Sequence, residues 1–366
     1  MSDTASASNR STGFYAPELD SLRALAVAAV MITHFSGTLN RFADWGVMGV
    51  RLFFVLSGFL ITQLLLRSRE RIDARISTTA AELRRFFVRR IFRLWPLYFA
   101  SLLASYFFHV GGTETNIWWH LLFATNQYVF HYQNWPALLS HFWTLAVEQQ
   151  FYFVWPLLVL FLPHVLLPRL LIAFLLTGPA ARAILIASGT APPDIISVLL
   201  VSCLDFFAAG AIVAYWRKQR QFYQVLGGSA LSYLIAGLFV WLALGTAVHD
   251  SGHQPRYWIV CDGFAQAIGF AALLAYLLQA SPPRAARALR QPILVYLGRI
   301  SYGIYVFHNF MHWLAPSVLL RITGYAYFKS ETAHVLLLTG FSIAIASMSF
   351  HLFEEPVRKL GRRLAA

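Results

Sequence analysis

The chain has 366 residues, of which 58% are hydrophobic and 16% aromatic while only 12% are charged; with a mean hydropathy of +0.58, this excludes an ordinary soluble domain and describes a polytopic membrane protein. A formal charge of +13 would suggest nucleic acid in a soluble protein, but the basic residues cluster between apolar runs as membrane-flanking loops do, so no nucleic-acid partner is expected. Cys203 and Cys261 both fall in apolar segments without metal-ligand spacing and read as packing residues, with neither a disulfide framework nor a metal site implied.

In chain order, residues 1–18 read as a disordered cytoplasmic tail, because the Ser/Thr/Ala-rich opening lacks a basic n-region and a cleavage site. Apolar stretches of about 20 residues, enough to cross ~30 Å of hydrocarbon, follow at 20–40, 46–66, 91–110, 142–163, 168–187, 194–215, 229–247, 257–279, 293–314 and 333–353. The predicted fold class is therefore an all-α integral membrane bundle of about ten transmembrane helices. It forms one membrane domain over 19–353, closed by a basic cytoplasmic tail at 354–366. The segment from Trp118 to Phe130 is too short to span and reads as an interfacial or re-entrant piece. The fifth span is the weakest, since it carries Arg182 and Pro179.

An even number of spans puts both termini on one side, and the arginine bias predicts the cytoplasmic side. The loop after span two and the start of span three hold Arg67, Arg69, Arg71, Arg75, Arg84, Arg85, Arg89, Arg90 and Arg93, whereas the long segment from Gly111 to His141 has no lysine or arginine. The expected location is the inner (cytoplasmic) membrane, multi-pass.

Arg23 and His34 lie inside span one, and ionisable groups inside a span mark function by default. Eleven helical steps return the chain to within roughly 20° of its starting face, about 16 Å further along. One side chain can hold an anion near the membrane surface while the other works on what that anion carries.

Six local patterns coincide on this frame: "LDSLRALAVAAVMITHF" with Arg23 and His34, "GVRLFFVLSGFLIT" at 49–62, "RRIFRLWPLYF" at 89–99, "FWTLAVEQQFYFVWP" at 142–156, "SYGIYVFH" at 301–308 and "FEEP" at 353–356. Together they resemble the acyltransferase-3 family of integral membrane acyltransferases, over nearly the whole chain. The resemblance implies transfer of an acyl group, usually acetyl, from cytoplasmic acyl-CoA to an acceptor hydroxyl, commonly on a sugar of a surface polysaccharide or glycolipid. It also implies that the paired arginine and histidine, here Arg23 and His34, are essential. Two positions depart from the family pattern. Arg51 follows "GV" where aspartate is frequent, a common variant, and Glu148 is followed by Gln149 where two glutamates often stand, which leaves Glu148 as the one candidate carboxylate.

The residues support a chemical reading of their own. Arg89, Arg90 and Arg93 at the cytosolic end of span three can seat the phosphates of coenzyme A, because guanidinium forks bind phosphate bidentately; positive-inside placement or anionic lipid is the competing explanation. The ~16 Å from Arg23 to His34 is comparable to a pantetheine arm. His34 then serves as general base on the acceptor hydroxyl or is itself acylated. Arg51, Glu148, Asp262 and His308 all fall at a depth similar to His34 and are expected to share an outer vestibule. There Glu148 would orient the imidazole and Arg51 stabilise the oxyanion, against the simpler alternative of ion pairs that fix helix packing. Ser57 and Gly58 suit close helix approach or room for the pantetheine; Ser57 as a nucleophile is rejected for want of a strand-to-helix elbow. His308 and His312 have helical metal-pair spacing but no third ligand. Trp118, Trp119, Trp135 and Trp143 form an aromatic belt or stack on a sugar.

The expected partners are acyl-CoA as donor substrate, a carbohydrate or glycolipid acceptor, the lipid bilayer and polysaccharide synthesis machinery. The rival functions are a transporter or flippase for a glycolipid or anion, an acyltransferase for a macrolide or other small secreted acceptor, and a non-catalytic subunit of a polysaccharide synthesis complex.

Overall fold

The computed structural model describes residues 15–109, 113–218, 258–279, 284–312 and 330–365, with a few positions between 232 and 245 and at 314. The N-terminal tail before residue 15 and most of the expected span at 229–247 lie outside the described residues.

Among the described residues the chain is helical without a strand. In order the elements are α1 (Pro17–Phe35), α2 (Gly37–Asn40), α3 (Trp45–Asp73), α4 (Thr79–Phe107), α5 (Thr113–Leu121), α6 (Thr125–Tyr132), α7 (Phe142–Phe161), α8 (Leu167–Ala187), α9 (Pro193–Ile196), α10 (Leu200–Lys218), α11 (Trp258–Leu277), α12 (Arg284–Ala288), α13 (Pro292–Arg299), α14 (Ser301–Phe307), α15 (Glu331–Ser349) and α16 (Glu355–Leu364). Six stretches among them are long and apolar enough to cross a membrane: α3, α7, α8, α10, α11 and the continuous run from Glu331 to Leu364. Proline opens α1, α8, α9, α13 and α16, where its missing N–H costs nothing.

Several expected boundaries shift for identifiable reasons. The arginine-dense stretch between spans two and three is mostly helix rather than loop, since α3 runs on to Asp73 and α4 begins at Thr79. Glu82 holds that junction. It accepts from Ser68 Oγ at 2.7 Å and pairs with Arg85 at 2.7 Å and Arg71 at 3.2 Å. Arg69 donates from Nη1 to the carbonyl of Val159 at 2.7 Å and from Nη2 to that of Leu162, filling carbonyls that the end of α7 leaves unpaired. The span expected at 293–314 is broken at Ile300 into α13 and α14 and tightens into a 3-10 turn at His308–Phe310. Trp118 to Phe130 falls in the two short helices α5 and α6, neither long enough to span. Residues 355–364, expected as tail, form α16 and pack on α4, with Gly361 against Phe92.

The centre of the bundle is α3, which packs against α1, α7, α10 and α11 and buries Val55, Phe59, Ile61 and Leu65 completely. Its crossing with α10 brings two backbones together. A Cβ on Gly58 would stand 2.1 Å from the Phe207 carbonyl oxygen, and one on Gly210 would stand 1.9 Å from that of Val55. Gly58 is thus a packing residue, as small residues between membrane helices generally are.

Candidate active site

Arg23 and His34 both project from α1, yet they reach different chambers. The smaller chamber, about 40 Å³, is lined by Arg23, Thr144, Glu148 and Tyr302. The larger, about 720 Å³, is lined by His34, Arg51, His141, Arg182 and Asp262, with Trp135, Trp143 and Trp258 supplying indole surface. Val50, Phe54 and Tyr305 line both chambers and form the wall between them. Phe54 is stacked on Phe207 at 4.8 Å, and the Tyr305 hydroxyl is held by Thr144 Oγ1 at 2.6 Å and the His141 carbonyl at 3.1 Å.

Arg23 lies within electrostatic reach of Arg90 and Arg93 on α4, and Arg93 is also close to Arg358 on α16. The nearby carboxylates are Glu148, beside Arg90, Glu354, beside Arg93 and Arg358, and Glu355, which is ion-paired with Arg358. Four guanidiniums facing three carboxylates leave Arg23, Arg90 and Arg93 with a positive excess suited to an anion. Arg90 is held in place by cation–π contacts over Tyr152 at 5.4 Å and Phe86 at 6.0 Å. Arg89 does not join this group. It is exposed and faces Arg85, Glu82, Arg71 and Arg362, because one helical step of about 100° turns it away from Arg90.

His34 is half-buried, and its Nδ1 sits 2.9 Å from the Val30 carbonyl oxygen. That contact assigns the proton to Nδ1 and leaves Nε2 as the basic nitrogen. The fully buried His308 packs edge-on against His34 with ring centroids 4.8 Å apart, and His141 packs on His308 at 4.9 Å. His308 Nδ1 is 2.6 Å from the Tyr305 carbonyl oxygen. His312 instead packs on Phe35 at 5.4 Å, so the two histidines do not converge as a metal pair.

The expectation of one shared vestibule holds for His34, Arg51 and Asp262, which line the larger chamber, while His308 supports it from behind. It is corrected for Glu148. This carboxylate belongs to the smaller chamber and accepts hydrogen bonds from the Ser57 and Tyr152 hydroxyls. It therefore does not orient His34, a task the Val30 carbonyl performs. Arg51 forms an ion pair with Asp262, which also accepts from Gln266 Nε2 at 2.9 Å and Trp241 Nε1 at 3.2 Å. Of the expected aromatic belt, Trp135 and Trp143 line the cavity, whereas Trp118 is 71% exposed.

Two features of the larger chamber were not anticipated. One is His141, and the other is the buried pair Arg182–Asp205, Nη2 to Oδ2 at 2.6 Å. The signal for the pair was present: an arginine in one apolar span and an aspartate in another are each costly alone and pair when buried.

The described residues thus form a helical bundle in which a small pocket lined by Arg23 and Glu148 is parted by a wall of Val50, Phe54 and Tyr305 from a larger cavity that bears His34. A family model for an acyltransferase domain matches residues 17–351, and the chain belongs to the acyltransferase-3 family. It is 28% identical to the peptidoglycan O-acetyltransferase OatA of Listeria monocytogenes, over 95% of this chain and 56% of that protein. It is 26% identical to the O-acetyltransferase OatA of Staphylococcus aureus, over 95% of this chain and 58% of that protein. The chain thus spans a little over half the length of these curated relatives. No solved structure matches it.

Proposed function

We propose that this chain moves an acyl group, most simply acetyl, from acyl-CoA at the arginine-rich end to a sugar hydroxyl of a peptidoglycan-type glycan in the larger cavity. The observation that carries this reading is the division of labour along α1: Arg23, near Arg90 and Arg93, opens to the small chamber and His34 to the large one, with one thin wall between. The names of the relatives support the acetyl group and the acceptor class. In this reading both termini face the cytoplasm, about ten spans cross the cytoplasmic membrane, and the coenzyme A phosphates rest on Arg23, Arg90 and Arg93. The pantetheine arm passes Glu148 and displaces the wall formed by Val50, Phe54 and Tyr305.

The chemistry then centres on His34 Nε2. As general base it takes the proton of the acceptor hydroxyl while that oxygen attacks the thioester carbonyl. Collapse of the tetrahedral adduct breaks the C–S bond, and the departing CoA thiolate recovers the proton from the imidazolium. Arg51 is the cation available to the oxyanion. An acyl-His34 route uses the same nitrogen as nucleophile. Steady-state patterns separate the two, since intersecting lines mean a ternary complex and parallel lines an acyl-enzyme.

The test is acetyl-CoA-dependent acetylation of peptidoglycan fragments by purified protein. The wild type acetylates them and stably inserted His34→Ala loses about 10²-fold or more, the usual weight of a general base. Full activity in His34→Ala would refute the assignment.

A further inference from the structure

The histidine stack behind the larger cavity holds a buried acceptor to which the acyl-transfer steps give no role. His308 is 0% exposed and packs against two other imidazoles, edge-on to His34 at 4.8 Å and to His141 at 4.9 Å. A neutral imidazole carries one N–H, and each of the three directs it to a backbone carbonyl: His34 Nδ1 to Val30 at 2.9 Å, His308 Nδ1 to Tyr305 at 2.6 Å and His141 Nε2 to Val306 at 3.1 Å. His308 Nε2 is thereby left with a lone pair, and it has no hydrogen-bond partner among the described residues. A buried acceptor without a donor is costly and calls for an explanation.

The neighbours of the ring narrow that explanation. Tyr305, at 5.4 Å, gives its hydroxyl hydrogen bonds to the His141 carbonyl and Thr144, and Phe35, at 6.3 Å, offers only carbon. His141 has already spent its N–H on Val306. His34 is the neighbour that changes charge in the proposed reaction, when it takes the proton of the acceptor hydroxyl. Ring centres 4.8 Å apart leave no space for another group between them, so the His308 lone pair lies in a ring that touches the imidazolium as it forms. Low-dielectric surroundings strengthen the attraction between a fixed dipole and a new cation. Carboxylates do not take this part: Glu148 lines the other chamber, and none of the cavity's aspartates, Asp44, Asp194 and Asp262, is hydrogen-bonded to His34.

We infer that His308 is a positioning residue for His34: its neutral ring holds the imidazole in orientation, and its unpartnered Nε2 stabilises the imidazolium that exists only during transfer, which speeds the reaction without tightening substrate binding. No proton passes to His308. The proton stays on His34 Nε2 until the departing CoA thiolate recovers it. This role rests on the proposed acyl transfer through His34.

The test compares His308→Phe, which keeps an aromatic ring in the stack but has no lone pair, with His308→Gln, which gives up the ring and returns an amide oxygen as acceptor. Purified full-length protein is assayed with acetyl-CoA and peptidoglycan fragments, and acetyl-CoA binding measured alongside reports an intact fold. His308→Phe is expected to lower kcat about tenfold, the weight of an interaction with a charged group, with both KM values within about twofold; His308→Gln should recover part of the loss. In the His34→Ala protein, His308→Phe should lower the residual rate no further, because the cation it stabilises is gone. Full kcat in His308→Phe, a larger loss in His308→Gln than in His308→Phe, or an undiminished effect in the His34→Ala background overturns the assignment. If His308→Phe alone loses acetyl-CoA binding, His308→Gln decides: a kcat within about tenfold of the wild type upholds the role and a larger loss overturns it. Loss of acetyl-CoA binding in both variants also overturns it, since His308 would then be holding the fold. No acetylation by the wild type removes the acyl-transfer reading and this role with it, whereas transfer that is lost in His34→Ala and unchanged in His308→Phe removes the role alone.

Discussion

Arg23 and His34 share one helix but not one chamber: the wall of Val50, Phe54 and Tyr305 stands between the pocket that Arg23 lines and the cavity that His34 lines. The spacing of eleven residues sets the reach, about 16 Å along the axis. The neighbouring helices decide what lies at each end.

At the Arg23 end the prediction concerns which arginines bind the donor. Arg90 faces Arg23 and Glu148, whereas Arg89 faces Arg85 and Glu82. Arg90→Ala should raise the acyl-CoA KM about tenfold or more, the loss of a charge-assisted hydrogen bond, with the acceptor KM unchanged. Arg89→Ala should stay within about twofold, as exposed charges usually do. Steady-state kinetics with each substrate varied in turn check both, and equal effects from the two substitutions would contradict the assignment.

Glu148 is bonded to Ser57 and Tyr152, and His34 to the Val30 carbonyl. Glu148→Gln should therefore raise the acyl-CoA KM severalfold while the pH dependence of kcat keeps its inflection. A displaced inflection would place the carboxylate in direct communication with the imidazole.

The crossing of α3 and α10 gives a stability prediction. Gly58→Ala and Gly210→Ala each force backbones apart, at about 1–3 kcal/mol for overpacking. Because both glycines serve the same crossing, the double substitution should cost less than the sum. Thermal unfolding in detergent measures this, and strict additivity would show that the two sites are independent.

Glu82 supplies a pH prediction outside the membrane-spanning segments. Burial alone raises its pKa, but the hydroxyls of Ser77 and Ser68 and the charges of Arg85 and Arg71 outweigh it and hold the carboxyl below its ordinary value. A depressed folded pKa means stability that is present above the unfolded value, about 4.3, and lost as pH falls through the folded one. Glu82→Gln should lower the thermal midpoint at pH 7 and flatten the acid side of the stability curve. An unchanged acid limb would remove Glu82 from the account.

Much of this was legible in the chain. The common face of Arg23 and His34 follows from helical geometry, and the depth of Arg51 and Asp262 follows from counting inward from the span ends. Counting depth could not say which way a side chain turns about its helix axis, so Glu148, at nearly the same level, faces a different chamber. Arg89 was misplaced for the same reason, one residue from Arg90 but on another face. The pair Arg182–Asp205 was signalled only as two costly charges in separate apolar spans; that they meet depends on the packing of α8 against α10, which no local pattern encodes. The break at Ile300 falls in the stretch Gly298 to Gly303, whose two glycines and Arg299 a count of span length passes over.

The central claim is that donor and acceptor enter from opposite sides and meet at His34. Proteoliposomes with the protein inserted in one orientation, an N-acetylated oligosaccharide trapped inside and labelled acetyl-CoA added outside, test it directly. The account predicts acetylated oligosaccharide in the lumen, formed by the wild type and absent with His34→Ala. Acetylation only when donor and acceptor share a compartment would contradict it.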